Sequence, residues 1–426
     1  MAIRFTQIFK SPIAIMEQAI ILIVGAGQAG GCAAAALRKE GYQGRIVLLG
    51  AESHAPYERP PLSKGVLDGS QAESSIFLQK PEFYAECKIE WIPDVHVTGI
   101  QAKNRTIQTS DGSVISFDKC LLATGGRPRR FPGVHEEMPN VHYLRGLADV
   151  IGIKKKIRPG AHVIVVGGGF LGLEFAGTVR AQGMQVTVVE AGAQIMGRAA
   201  PHIFAEWLHE RYLRAGVEII RNAEIKAIEY GQAGGKLVLG NGAILESDFC
   251  LVAIGQVPNI ELAELAGLHL DNGIAVDAGG ETSAPGIFAA GDCASHFNDF
   301  LGKRVRLESW HNAQEQAIVA AKAILGTPAA YNVVPWFWSD QLGLNIQMLG
   351  FPEPGLCYLV RGDMAAAKFN IFGFDGEKLR YVLAVNNGGD IRPLRTLLES
   401  CVSVAATQLL DTSRSIREIV KAATAK

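Results

Sequence analysis

A chain of 426 residues with 41 Lys+Arg against 42 Asp+Glu has room for two or three domains and lacks the basic footprint of a nucleic-acid binder or an acidic tail. Its 48% hydrophobic content supports large cores, and its 48 glycines point to many tight strand-to-helix turns. Cysteines at 32, 87, 120, 250, 293, 357 and 401 form no CxxC or CxxxxC pair, and the ten histidines form no HxxxH or HExxH. That excludes a zinc ribbon, a redox dithiol and a helical metal site, and it fits free thiols in a reducing, cytoplasmic setting.

In chain order, residues 1–17 read as a leader with Arg4 and Lys10, and Met16 offers an alternative start. The run from Ala19 to Leu37 is uncharged and long enough to cross a membrane, but glycines and Gln28 interrupt it. It reads instead as a buried strand, a turn and a helix. In Gly25-Ala26-Gly27-Gln28-Ala29-Gly30, the first glycine permits the tight turn, the second lets amides approach a pyrophosphate, and the third lets helix and strand pack closely. A second strand, RIVLLGAE, ends at Glu52, the nearest acid for a ribose. The next stretch, PYERPPLSK from Pro56 to Lys64, is too proline-rich for a helix interior or a central strand. A loop so rigid is expected to position something, and its last residue is a lysine.

SFDKCLLATGGRPRR then gives a buried strand and a glycine turn through Ala123, Thr124 and Gly125. From His162 the first pattern recurs, with Gly167-Gly168-Gly169-Phe170-Leu171-Gly172 as its turn. Glu190 ends the following strand, 23 residues after Gly167. A carboxylate there accepts from both ribose hydroxyls and repels a 2′-phosphate, favouring NADH over NADPH. ESDFCLVAIGQVPN, with Gly255, repeats the crossover, so the chain is expected to leave one domain and return to it. TSAPGIFAAGD ends in Asp292, an acid exposed at a strand end and suited to a sugar hydroxyl. A long helix follows RLESWHNAQEQ, and from Tyr331 the apolar and polar residues alternate as in half-buried antiparallel strands. The expected fold class is α/β, with two Rossmann-like dinucleotide-binding domains and an α+β C-terminal domain. The expected boundaries are 18–127 with 248–329, 128–247, and 330–426.

These motifs together resemble the glutathione-reductase-like flavoproteins. With YERPPLSK, GGGFLGLE, RLESWHNAQEQ and PWFWSDQ, the chain is similar to the ferredoxin reductases of oxygenase systems. The resemblance implies FAD on the split domain and NADH on the inserted one. Gly25, Gly27, Gln28, Ala29 and Gly30 would hold the ADP part of FAD, with Val97, Ala123, Thr124, Gly125 and Arg145 also toward the cofactors. Gly167, Gly169, Phe170, Leu171 and Gly172 would hold NADH, with Arg198 and Gly255 assisting. Relatives carry an aspartate where this chain reads Gly50-Ala51-Glu52, so Glu52 is the expected substitute on the FAD ribose. Lys64 would reach the flavin N5 region and pair with Glu174, and Arg59 and Pro60 would shape the adjoining wall. Asp292 would bind the ribitol, Trp310 would lie near the pyrimidine edge, Glu308 would face the nicotinamide, and Trp338 would lie by the isoalloxazine toward the partner.

The implied reaction is hydride transfer from NADH to FAD, then single-electron delivery to a small iron–sulfur protein, a [2Fe–2S] ferredoxin serving an oxygenase. The alternatives are a rubredoxin reductase, an NADH oxidase, and a redox-responsive NADH-binding flavoprotein of the apoptosis-inducing-factor type. Either a monomer or a homodimer is compatible with the sequence. Two basic clusters are candidates for partner docking: Lys303, Arg304 and Arg306, and Arg392 with Arg395.

Overall fold

The computed structural model describes residues 19–135, 138–400 and 402–425. The leader, Met16 and Cys401 lie outside the described residues. Two units are distinguished: one comprises the chain up to Glu58, Ile76–Gly126 and Pro258–Asn332, the other Arg59–Ser75, Arg127–Val257 and the chain from Val333 onward.

The first unit is built on a five-stranded parallel sheet in the order Ile287–Ala289, Lys119–Leu122, Ile20–Val24, Arg45–Leu49, Ile89–Ile92. Its central strands are continuous apolar runs because both faces are covered. Ile21, Leu22 and Ile23 are fully buried, each contributing roughly 1.5–3 kcal/mol. The edge strand Ile287–Ala289 arrives late in sequence and pairs in parallel with Lys119–Leu122, so this unit is assembled from separated segments. Helix Gln28–Lys39 packs against helix Trp310–Ile324 through small side chains, with Ala29, Ala33, Ala36, Ala313, Ala317 and Ala320 sharing one core.

The second unit repeats the plan. Its parallel sheet runs Glu218–Ile220, Gln185–Val189, His162–Val166, Phe249–Val252, Val141–His142, with helix Phe170–Ala181 after the His162–Val166 strand. It also holds a five-stranded antiparallel sheet in the order Trp336–Gln341, Leu344–Leu349, Lys378–Val385, Lys368–Asp375, Cys357–Asp363. Helix Ile391–Ser400 packs on two of these strands. The fold class is the expected one: α/β with two Rossmann-like units and an α+β C-terminal part.

Candidate functional site

The two glycine turns are near copies in geometry. Gly25 and Gly167 both sit at φ +109°, a conformation that disfavours any side chain. A Cβ would lie 2.2 Å from the Ala123 carbonyl oxygen in one and 2.4 Å from that of Ala253 in the other. Gly30 and Gly172 are just as constrained, since a Cβ there would strike the Gly25 and Gly167 carbonyls at 1.8 and 2.0 Å. Gly27 and Gly169 are the N-caps of helices Gln28–Lys39 and Phe170–Ala181, and neither helix has a side-chain cap or an acid in its first turn. First-turn amides without a capping side chain suit an anion, and a dinucleotide pyrophosphate fits that requirement. Ala29, in the first turn of helix Gln28–Lys39, is buried, and Gln28 Oε1 is buried without a hydrogen-bond partner among the described residues.

The Asp292 turn closes onto the first helix. At Gly291, φ is +83°, its Cβ position lies 3.0 Å from Ala29 Cβ, and its N–H donates to Gln316 Oε1 at 2.9 Å. Thr124 and Asn259 lock the crossover reciprocally: the Thr124 hydroxyl donates to the Asn259 carbonyl at 2.6 Å, and Asn259 Nδ2 donates to the Thr124 carbonyl at 2.8 Å. Gly125 accepts from the Asn259 N–H at 3.0 Å. Val97 begins the strand Val97–Gln101, and Glu52 accepts from the Tyr57 hydroxyl. Trp310 opens its helix behind Ser309, whose hydroxyl accepts from the Asn312 N–H.

In the second unit, Glu190 is pinned by two backbone amides, Gly168 N–H at 2.7 Å and Gly192 N–H at 2.6 Å, one on each carboxylate oxygen. Gly255 lies beside Arg198, its Cβ position 3.8 Å from Nη2. Arg59 donates to the Arg145 carbonyl at 2.6 Å, and Arg145 donates to Gln256 Oε1 at 3.1 Å. Phe170, the residue after the glycine turn, packs on Phe337 with ring centroids 4.2 Å apart. Leu171 follows it on the same helix.

Lys64 is held as the proline-rich stretch suggests, though by a turn and not an extended loop. Pro60–Ser63 is a 3₁₀ turn with prolines in its first positions, where they cost no hydrogen bond, and it leads into the short helix Gly65–Asp68. The Lys64 ammonium lies 2.7 Å from Glu174 Oε2 and donates to the Pro60 carbonyl at 3.1 Å. Thr178, one turn beyond Glu174 on the same helix, donates to the Ser63 carbonyl at 2.8 Å. Three neighbours of this pair escape sequence reading: Ser63, Ser339 and Gln341. Ser339 lies in the strand Trp336–Gln341, whose other face carries Trp336 and Trp338, stacked at 5.2 Å. The Arg395 guanidinium lies 5.1 Å from the Trp336 ring centroid.

One expectation is corrected in part. Arg306 does not belong to an outward basic cluster, whereas Lys303 and Arg304 stay exposed. Arg304 Nη1 donates to the Val276 and Ser295 carbonyls at 3.1 and 2.6 Å. Arg306, with a side chain only 10% exposed, donates to the Asp292 carbonyl at 3.1 Å and pairs with Glu308. Adjacent strand carbonyls compete for a guanidinium, and here they win. Glu308 is thus held by a cation just beyond the strand Lys303–Val305.

No group of three or more His, Cys, Asp or Glu able to hold a metal is found among the described residues. No helix among them is long and apolar enough to cross a membrane.

Residues 20–317 match the family model described as pyridine nucleotide-disulphide oxidoreductase, and residues 336–420 match that described as reductase C-terminal. The chain is 38% identical over 391 residues to the anthranilate 1,2-dioxygenase system ferredoxin–NAD(+) reductase component of Burkholderia cepacia, covering 92% of this chain and 96% of the relative. It is 40% identical over 332 residues to a rubredoxin–NAD(+) reductase of Pseudomonas putida, covering 78% and 86%. Among solved structures, the covalent putidaredoxin reductase–putidaredoxin complex superposes with a TM-score of 0.92 at 33% identity, covering 96% of this chain and 99% of that one.

Proposed function

Because the chain belongs to the pyridine nucleotide-disulphide oxidoreductase family, we propose that it is an NADH-dependent, FAD-containing reductase that delivers electrons to a ferredoxin. The enzyme is an oxidoreductase whose cofactors are FAD and NAD(H). The observation that carries this reading is the pair of matched glycine turns, each opening a helix with no side-chain cap. The partner reading is supported by the end-to-end similarity to ferredoxin–NAD(+) reductase components.

Bound FAD supplies the conversion between a two-electron hydride and single electrons. The chain supplies binding, position and field. Gly25, Gly27, Gln28, Ala29, Gly30, Glu52, Val97, Ala123, Thr124, Gly125, Asp292 and Trp310 serve FAD. Gly167, Gly169, Phe170, Leu171, Gly172, Glu190, Arg198 and Gly255 serve NADH, with Glu308 toward the nicotinamide. Lys64, held by Glu174 and the Pro60 carbonyl, would reach the flavin N5 region when FAD is bound. Held there, the ammonium would favour negative charge on the bound flavin. Arg59, Pro60 and Arg145 hold the wall beside it. Trp338 lies on the route to the partner.

The split 18–127 and 248–329 domain is the FAD domain, 128–247 the NADH domain, and 330–426 the partner-facing domain. The partner is a [2Fe–2S] ferredoxin serving an oxygenase, and the enzyme works in the cytoplasm as a monomer or homodimer. The purified holoenzyme is expected to be yellow and to reduce members of a panel of [2Fe–2S] ferredoxins with NADH. Fast reduction of rubredoxins alone would replace the ferredoxin assignment. The absence of flavin absorption would overturn the reading as a whole.

A further inference from the structure

Glu174 is 7% exposed and lies in a closed polar chain within the second unit. Its Oε2 accepts from the Ser63 hydroxyl at 2.6 Å and from Lys64. Its Oε1 accepts from the hydroxyl of Ser339, a residue with no exposed surface. Ser339 in turn accepts from Gln341 Nε2 at 2.8 Å. The Tyr212 hydroxyl lies 3.0 Å from Gln341 Oε1 and 2.8 Å from the Leu173 carbonyl. Gln341 and Tyr212 are themselves buried.

The direction of this chain matters. A hydroxyl has one proton to give. Because the Ser339 oxygen accepts the Gln341 amide, its own proton is committed to Glu174. The carboxylate is therefore anchored at both oxygens and does not rotate about its last torsion. The ammonium it holds inherits that fixity. A carboxylate anchored at Oε2 alone would swing to share either oxygen with Lys64, and the ammonium would move with it.

We propose that Ser339, oriented by Gln341, is a positioning residue for Lys64: it fixes Glu174, and through Glu174 it fixes the charge presented to the flavin. This rests on the assignment of Lys64 to the flavin above. Ser339 would touch no substrate or cofactor itself. Through Glu174 it is the C-terminal sheet's indirect contribution to the field at the flavin, made by a serine on the face opposite the tryptophans.

The test compares Ser339→Ala, Lys64→Met and the double variant as FAD-loaded enzymes. The readouts are flavin midpoint potential by dye equilibration, flavin content, melting temperature and stopped-flow reduction by NADH. Ser339→Ala is expected to keep FAD, to lower the midpoint potential, and to slow flavin reduction about tenfold. Adding Ser339→Ala to Lys64→Met is expected to change neither potential nor rate further. Ser339→Cys keeps the shape with a weaker donor, so it falls between wild type and alanine and serves if the alanine variant does not fold. A wild-type potential and rate in both Ser339 variants would overturn the proposal. So would equal effects of Ser339→Ala with and without Lys64, because the serine would then act independently of the lysine. If Lys64→Met itself leaves the potential and the rate at wild-type values, the assignment of Lys64 fails, and that outcome is distinct from failure at Ser339 alone.

Discussion

Lys64 and Glu174 form an ion pair at 2.7 Å in which the carboxylate is nearly enclosed and the lysine side chain keeps 21% of its surface exposed. The asymmetry suits a charge held from behind and presented in front. Replacing the ammonium by an isosteric methionine is expected to leave FAD bound. Hydride transfer from NADH should slow by roughly 2–3 kcal/mol of lost transition-state stabilisation, about thirty- to one-hundred-and-sixty-fold. Stopped-flow absorbance of the Lys64→Met enzyme measures this, and a wild-type rate would end the electrostatic role.

Placed on the NADH ribose as proposed, Glu190 has a carboxylate held in one orientation by the Gly168 and Gly192 amides. Repulsion of a 2′-phosphate and loss of ribose hydrogen bonds together amount to roughly 2–4 kcal/mol, a preference for NADH over NADPH of about thirty- to several hundred-fold in kcat/KM. In Glu190→Gln that ratio should shrink by about tenfold or more. Equal efficiency with the two nucleotides in the wild-type enzyme would show that this carboxylate does not read the ribose.

His296 is buried against Tyr331, with ring centroids 4.8 Å apart. Burial, reinforced by Arg304, lowers its pKa from 6.5 to about 4. The folded state therefore refuses a proton that the unfolded chain accepts. The stability this confers is complete above pH 6.5 and is lost as pH falls toward 4, roughly 3 kcal/mol over that window. Urea unfolding at pH 7.5, 6 and 5 is expected to show the decline, and His296→Phe, which retains the ring contact, should flatten it. An identical acid limb in the variant would assign the decline to other groups.

With Arg306 buried and Arg304 tied to two carbonyls, Arg392 and Arg395 are the second basic pair to test for an acidic ferredoxin. Arg392 is exposed, and Arg395 lies over Trp336. The double variant Arg392→Glu, Arg395→Gln should lower ferredoxin kcat/KM at low salt by about tenfold, flatten its salt dependence, and leave flavin reduction by NADH unchanged. Wild-type ferredoxin kinetics at low ionic strength would move the docking face elsewhere.

The glycine turns were legible because their demands are local: Gly25 and Gly167 need an unusual φ, and Gly30 and Gly172 need absent side chains, whatever the rest of the chain does. The overall plan was legible for the same reason, since each unit repeats a strand, a turn and a helix. Arg306 was misread because a cation in a short ribbon looks exposed until the carbonyls around it are placed. Ser339 was missed because its partner lies on a distant helix. A signal existed: Phe337, Ser339 and Gln341 share one face of a strand, and two polar residues on a face led by Phe337 mark inward hydrogen bonding. The prolines before Lys64 announced rigidity, but not that the rigidity takes the form of a helical turn.

The strand Trp336–Gln341 sends alternate residues to opposite sides, with the stacked tryptophans on one and Ser339 with Gln341 on the other. These two sets are phase-locked by the two-residue period of the strand. Inserting or deleting a single residue here would exchange them, burying indole where a hydroxyl now meets Glu174 and exposing the serine in its place. This six-residue stretch should therefore tolerate substitution far better than any change in length. A chimaera that grafts another reductase's C-terminal segment should be joined ahead of Trp336, so that the aromatic face and the hydrogen-bonding face travel together.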